Sequence, residues 1–154
     1  MTAPSSMSSP PPSLGELRQR LEEIGRHVGT QEAAHRAALE EAHRRADALR
    51  AAVAEALDGF HAAAAASGAP HLRIELGPTR LDDKHIRAVE FEIRRGRHLG
   101  IVTVKSHGEI TLVGPFHAGK KEGPCMTFPF AAERELVEGL GGFLQRFLAE
   151  AVTP

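Results

Sequence analysis

At 154 residues, with 42% hydrophobic residues and a formal net charge of −1, the chain has the length and apolar content of one modest domain with an appendage. The near-neutral balance excludes a strong global field, so attraction to nucleic acid or to a membrane has to come from a local patch. One cysteine, Cys125, excludes an intramolecular disulfide and a cysteine-rich zinc site, and fits a reducing, cytoplasmic setting.

The first residues, MTAPSSMSSPPPS, carry no positive charge and no apolar run. Residues 1–12 therefore read as a disordered tail rather than a signal peptide, and no later run reaches the apolar length of a membrane span. From Ser13 to about Gly68 the chain is helical. Leu14, Leu17, Leu21, Ile24 and Val28 recur at spacings of 3, 4, 3 and 4, the seam of a coiled coil. Leu39, Ala42, Ala46, Leu49, Val53, Leu57, Phe60 and Ala64 make a second run. The 11 residues from Val28 to Leu39 break the heptad, with Gly29 and Thr30 in the gap as a C′ residue and an N-cap. This region is either one long helix with a phase shift or a broken helix pair, and the spacing favours the break. Gly68 and Pro70 end it. The Ala/Leu seam predicts an oligomerisation segment over 13–68, with a second copy of the chain, as a dimer, covering the apolar face.

From His71 to Phe130 the period becomes two, and an antiparallel sheet is expected. HLRIEL alternates, and AVEFEIRR places Val89, Phe91 and Ile93 on one face. HLGIVTVK is apolar on both faces, and EITLVG and PCMTFPF follow. Short links at 95–97 and 106–108 make hairpins, and the five segments form a meander. Pairing Ile93 with Leu99 and Phe91 with Ile101, then Ile101 with Leu112 and Thr103 with Ile110, keeps apolar residues together and requires a bulge near Gly108. Residues 131–152 return to helical spacing, with Leu136, Leu140, Phe143, Phe147 and Ala151 in a stripe. The fold class is α+β: a long N-terminal helix or broken helix pair, a five-stranded antiparallel β-meander, and a C-terminal helix packed on the sheet. The last two form a domain over 71–154.

Four constellations carry chemical interest. Gly114 to Gly119-Lys120 has the spacing of a phosphate-binding loop, but Lys121 stands where a magnesium-binding Ser or Thr is needed, and the following CMTF reads as a strand. Glu32…His35 and Glu40…His43 have the E-x-x-H spacing of carboxylate-bridged metal bundles, yet both lie on one helix among charge pairs, so no metal is expected. Cys125 sits between Pro124 and Met126 in an apolar strand, and reads as a small buried thiol rather than a nucleophile.

The fourth comes from topology. A meander brings Arg95, Arg97 and His98 to the same end as His117, Lys120 and Lys121, with His71 nearby, while His85 and His107 go to the other end. Residues 71–130 hold ten Lys/Arg against seven Asp/Glu, a local excess of +3. Such an end fits a protein partner or an anionic ligand, with a response to salt and pH. The charge balance and the absence of Trp and Tyr give no support to nucleic-acid binding, and no helical face carries the lysines of a membrane surface binder. The expectation is a non-enzymatic binding or adaptor protein without cofactor, with no catalytic residues, that self-associates through its N-terminal helices and presents this basic end. The alternative is a small-molecule sensor domain whose pocket, between sheet and C-terminal helix, is lined by Phe91, Phe128 and Phe143.

Overall fold

The computed structural model describes residues 11, 13–82, 87–120 and 123–153. Its elements are α1 (Leu14–Ala66), six strands, and α2 (Glu133–Ala151). The strands are β1 (Glu75–Leu76), β2 (Arg80–Leu81), β3 (Ala88–Arg95), β4 (His98–Lys105), β5 (Glu109–His117) and β6 (Cys125–Pro129). The fold is α+β: a long helix, an antiparallel sheet and a C-terminal helix. The chain divides into two units, Met1–Arg36 and Ala37–Pro154.

Helix α1 runs for 53 residues without interruption, which corrects the break expected at Gly29-Thr30. Eleven residues are three turns plus about 20° at 3.6 residues per turn, so the interval that disrupts a heptad barely disturbs an ordinary α-helix. Thr30 does not cap a new helix. Its hydroxyl donates to the Arg26 carbonyl at 2.9 Å, a bond made from inside a continuous one. The two ends follow from the sequence. At the start, the Ser13 Oγ accepts from the Glu16 N–H at 3.2 Å. At the finish, Gly68 takes φ +92°. There the Ala69 N–H donates to the Ala64 carbonyl and the Gly68 N–H to that of Ala65, the paired bonds of a Schellman cap.

In the first unit the described chain is helix alone. Leu14, Leu17, Leu21, Ile24 and Val28 are 86%, 42%, 66%, 57% and 49% exposed.

In the second unit the sheet has the order β1-β3-β4-β5-β6, with β2 also paired to β3 along the same edge. All the pairs are antiparallel. Val89, Phe91 and Ile93 of β3, Val102 and Val104 of β4, and Ile110 and Leu112 of β5 point to one face. Both helices cover that face. Ala42, Ala46, Val53 and Leu57 come down from α1, and Leu136, Phe143, Phe147 and Ala151 from α2. The alanines let α1 approach closely, and Arg45 stacks its guanidinium 4.2 Å from the centre of the Phe130 ring at the end of β6. The other face carries Glu90, Glu92, Thr103, Thr111 and Thr127. Arg80 bridges the two glutamates at 3.1 and 2.7 Å, and the Thr111 and Thr127 hydroxyls meet at 3.1 Å.

The expected registers are one residue out in both hairpins. Ile93 pairs with Gly100 and Phe91 with Val102, because the first turn has only two residues, Gly96-Arg97. In the second hairpin Ile101 pairs with Val113 and Thr103 with Thr111. The irregularity lies between Leu99 and Ile101 of β4, opposite Gly114, rather than near Gly108. Strand β4 is apolar on both faces, so Ile101 and Val102 compete for the core, and turn geometry decides for Val102. The hole left by Gly100 is filled by the Phe143 ring: a Cβ there would lie 2.7 Å from its Cζ.

HLRIEL contributes strand only at Glu75–Leu76. The rest of the connection satisfies its backbone through side chains. The Ile74 N–H donates to His61 Nε2 at 2.9 Å. Arg50 donates to the carbonyls of Gly77 at 2.7 Å and Leu76 at 3.3 Å. Arg95 donates to those of His71 and Arg73, both at 3.3 Å. A segment whose polar groups are met in this way needs no ladder partner.

Candidate functional site

The basic end is built by the ends of three strands. His98 opens β4 and His117 closes β5, and the two are paired across the ladder. Their rings pack edge to face, with centroids 4.8 Å apart and planes at 84°. The Ala118 N–H donates to the Arg97 carbonyl at 2.7 Å, which ties the chain beyond β5 to the β3–β4 turn. Lys120 follows through a tight turn, its N–H donating to the His117 carbonyl at 3.0 Å. Arg95, Arg97, His98 and His117 line a wide, shallow recess of about 530 Å³, closed on one side by Ala151 of α2. Lys121 and His85 lie outside the described residues.

These groups do not all have the same freedom. Besides His71 and Arg73, the Arg95 guanidinium also donates to the Ala151 carbonyl at 3.2 Å. It therefore neutralises the negative end of the α2 dipole and fastens the α1–β1 connection. That is a structural task, and only the sequence-distant carbonyls of His71, Arg73 and Ala151 reveal it. Arg97 and Lys120 are exposed and make no ion pair among the described residues. The recess thus offers the Arg97 guanidinium and two imidazoles, with Lys120 at the end of the turn after His117 and Arg95 cancelling the nearest fixed negative charge. This arrangement can hold an anion by charge-assisted hydrogen bonds.

The remaining motifs fall elsewhere. Gly114 to His117 lie inside β5, so the phosphate-loop spacing belongs to a strand and leads to no helix. Cys125 is exposed on the edge strand, a correction to the buried thiol expected from its apolar neighbours. Among the described residues, no strand pairs with the outer edge of β6. His107 leans on Glu109 at 3.3 Å at the opposite end of the sheet. Of the E-x-x-H residues, His43 faces Asp47 at 3.5 Å. Among the described residues, no group of three or more His, Cys, Asp or Glu is placed to hold a metal ion. No described helix is long and apolar enough to cross a membrane. Phe91 is fully buried in the core, and the Phe128 ring packs over Gly139, where a Cβ would come within 2.3 Å of its Cζ. Phe143 lines a groove between α2 and the β5–β6 pair. No family model matches the chain, and neither a curated protein nor a solved structure matches it.

Proposed function

We propose that this protein is a non-enzymatic binding module that self-associates through the first part of α1 and offers the cationic end of its sheet to an anionic ligand. The observation that carries the reading is the exposed stripe of Leu14, Leu17, Leu21, Ile24 and Val28. A lone surface leucine needs no explanation, but five large apolar side chains aligned over four turns are what a partner helix covers. Gly25 and Gly29 make the case stronger. Each costs about 1 kcal/mol in a helix interior, and among the described residues no side chain of another element packs against either of them. A helix of that composition draws its stability from burial of its apolar face. Fully burying a Leu, Ile or Val contributes about 1.5–3 kcal/mol. At their present exposure two copies hold the equivalent of about six fully exposed residues, so burial gains about 9–18 kcal/mol, enough to offset an association cost of roughly 4–15 kcal/mol.

The test is light scattering coupled to gel filtration, from low to high micromolar protein. The wild type is expected at twice its 16.6 kDa mass, and Leu21→Glu with Ile24→Glu at the monomer mass with an unchanged sheet signature. A wild type that stays monomeric at high micromolar concentration removes the self-association. At the other end, charge reversal of Arg97 and Lys120 is expected to abolish salt-sensitive binding of a multivalent anion such as pyrophosphate.

A further inference from the structure

A half-open groove of about 250 Å³ runs between α2 and the β5–β6 pair. Leu112, Met126 and Phe143 give it an apolar floor, and Gly139 and Gly142 form its helical wall. The two glycines differ. Gly139 makes room for the Phe128 ring, whereas at Gly142 no heavy atom of the described residues, beyond its chain neighbours and its own helix backbone, lies within 4 Å of the place a Cβ would take. Packing within the chain therefore does not call for glycine at 142, although glycine is the poorest helix former after proline. What the missing side chain leaves is open space above the apolar floor. Arg146 stands on the rim and makes no ion pair among the described residues. Glu138, also on the rim, lies two turns earlier on α2 and faces Arg134 at 3.6 Å.

We infer that this groove binds a small monocarboxylate with an unbranched apolar body, laid over Leu112, Met126 and Phe143 with its carboxylate on Arg146. A guanidinium matches a carboxylate in fork geometry and holds it more specifically than a point charge does. Glu138 repels the carboxylate from the far end, so the ligand enters in one direction. At a packing density of about 0.74, the volume accommodates roughly ten non-hydrogen atoms, the size of octanoate. The inference rests on neither the self-association nor the basic end, and it assigns the anion-binding role here to Arg146 alone.

The experiment is an ¹H–¹⁵N NMR titration of the full chain with sodium octanoate, with octylammonium and octanol as comparison ligands. Octanoate is expected to give saturable shifts at Met126, Gly142, Phe143 and Arg146, with octylammonium giving none and octanol binding at least tenfold more weakly. Arg146→Gln, at an exposed position, is expected to weaken octanoate about tenfold while the spectrum stays folded. Gly142→Leu fills the groove, and is expected to abolish binding while the melting temperature holds or rises. Charge reversal at Arg97 and Lys120 is expected to leave octanoate binding unchanged. The assignment is overturned if octanoate does not saturate, or if Arg146→Gln or a folded Gly142→Leu binds it as well as wild type. Dependence on Arg97 and Lys120 instead of Arg146 overturns it as well.

Discussion

Gly114 is the position where a single methyl group should matter most. It sits at φ +109°, outside the range that L side chains ordinarily adopt. A Cβ there would stand 2.8 Å from the Leu99 carbonyl oxygen and 3.3 Å from the Gly100 Cα. Both are backbone atoms of the central strand β4, so no rotamer change relieves the contact. Gly114→Ala therefore combines backbone strain of about 1–3 kcal/mol with overpacking of about 1–3 kcal/mol. The lower entropy of the unfolded alanine chain offsets about 0.4–1 kcal/mol of this. The net loss is about 1–5.5 kcal/mol, centred near 3, a large share of a typical stability of about 5–15 kcal/mol. It should appear in urea as a lower midpoint at unchanged m, and as a fall in Tm of roughly 10 °C. Gly141→Ala is the control. It lies in α2 with nothing within 4 Å of the added methyl group, and should gain about 1 kcal/mol. If Gly114→Ala unfolds within about 0.5 kcal/mol of wild type, below the scale of such strain, the close approach of Gly114 to the β4 backbone is not a constraint on stability.

Two further outcomes follow from side chains already placed. Arg95→Gln removes three hydrogen bonds to backbone carbonyls and should cost about 2 kcal/mol in urea denaturation, without touching Arg97 or Lys120. Glu41 is hydrogen-bonded to Arg44 and Arg45, and its carboxyl is held below its ordinary value of 4.5, chiefly by the Arg44 hydrogen bond, with the two charges assisting and desolvation opposing. A depressed acid contributes stability above its unfolded-state pKa and loses it as pH falls through the folded-state value. The Tm difference between wild type and Glu41→Gln, small for so exposed a group, should therefore be present at neutral pH and vanish well below pH 4.5.

Much of this architecture can be read in the residues, and the exceptions have physical causes. Ser13 and Gly68 delimit α1, and the alternation at Val89, Phe91 and Ile93 gives the core face of β3, because caps and two-residue periodicity are local properties. The register of β4 was not legible, since Leu99, Ile101, Val102 and Val104 supply apolar side chains to both faces and only the turn length discriminates. The 11-residue interval is a break only against a heptad, and an α-helix needs only 3.6 residues per turn. At the basic end, the meander predicts the meeting of the β3–β4 turn with the chain beyond β5. It does not reveal that Arg95 is occupied, since its acceptor at Ala151 lies 56 residues away. A pocket between sheet and C-terminal helix with Phe143 in its wall is legible, but its lining by Leu112, Met126, Gly142 and Arg146 is not, because an apolar floor on β5 and β6 acquires meaning only when Gly142 and Arg146 of α2 lie beside it.

The threefold grip of Arg95 also shapes how the second unit opens. One guanidinium joins the end of β3, the last turn of α2 and the connection leading from α1 to β1, so fraying of any one of them loosens the anchor of the other two. Helix termini and connecting loops ordinarily exchange their amide hydrogens independently and early. The last turn of α2 and the residues around Arg73, far apart in sequence, are therefore expected to exchange their amides at similar rates in wild type and at separate, faster rates in Arg95→Gln.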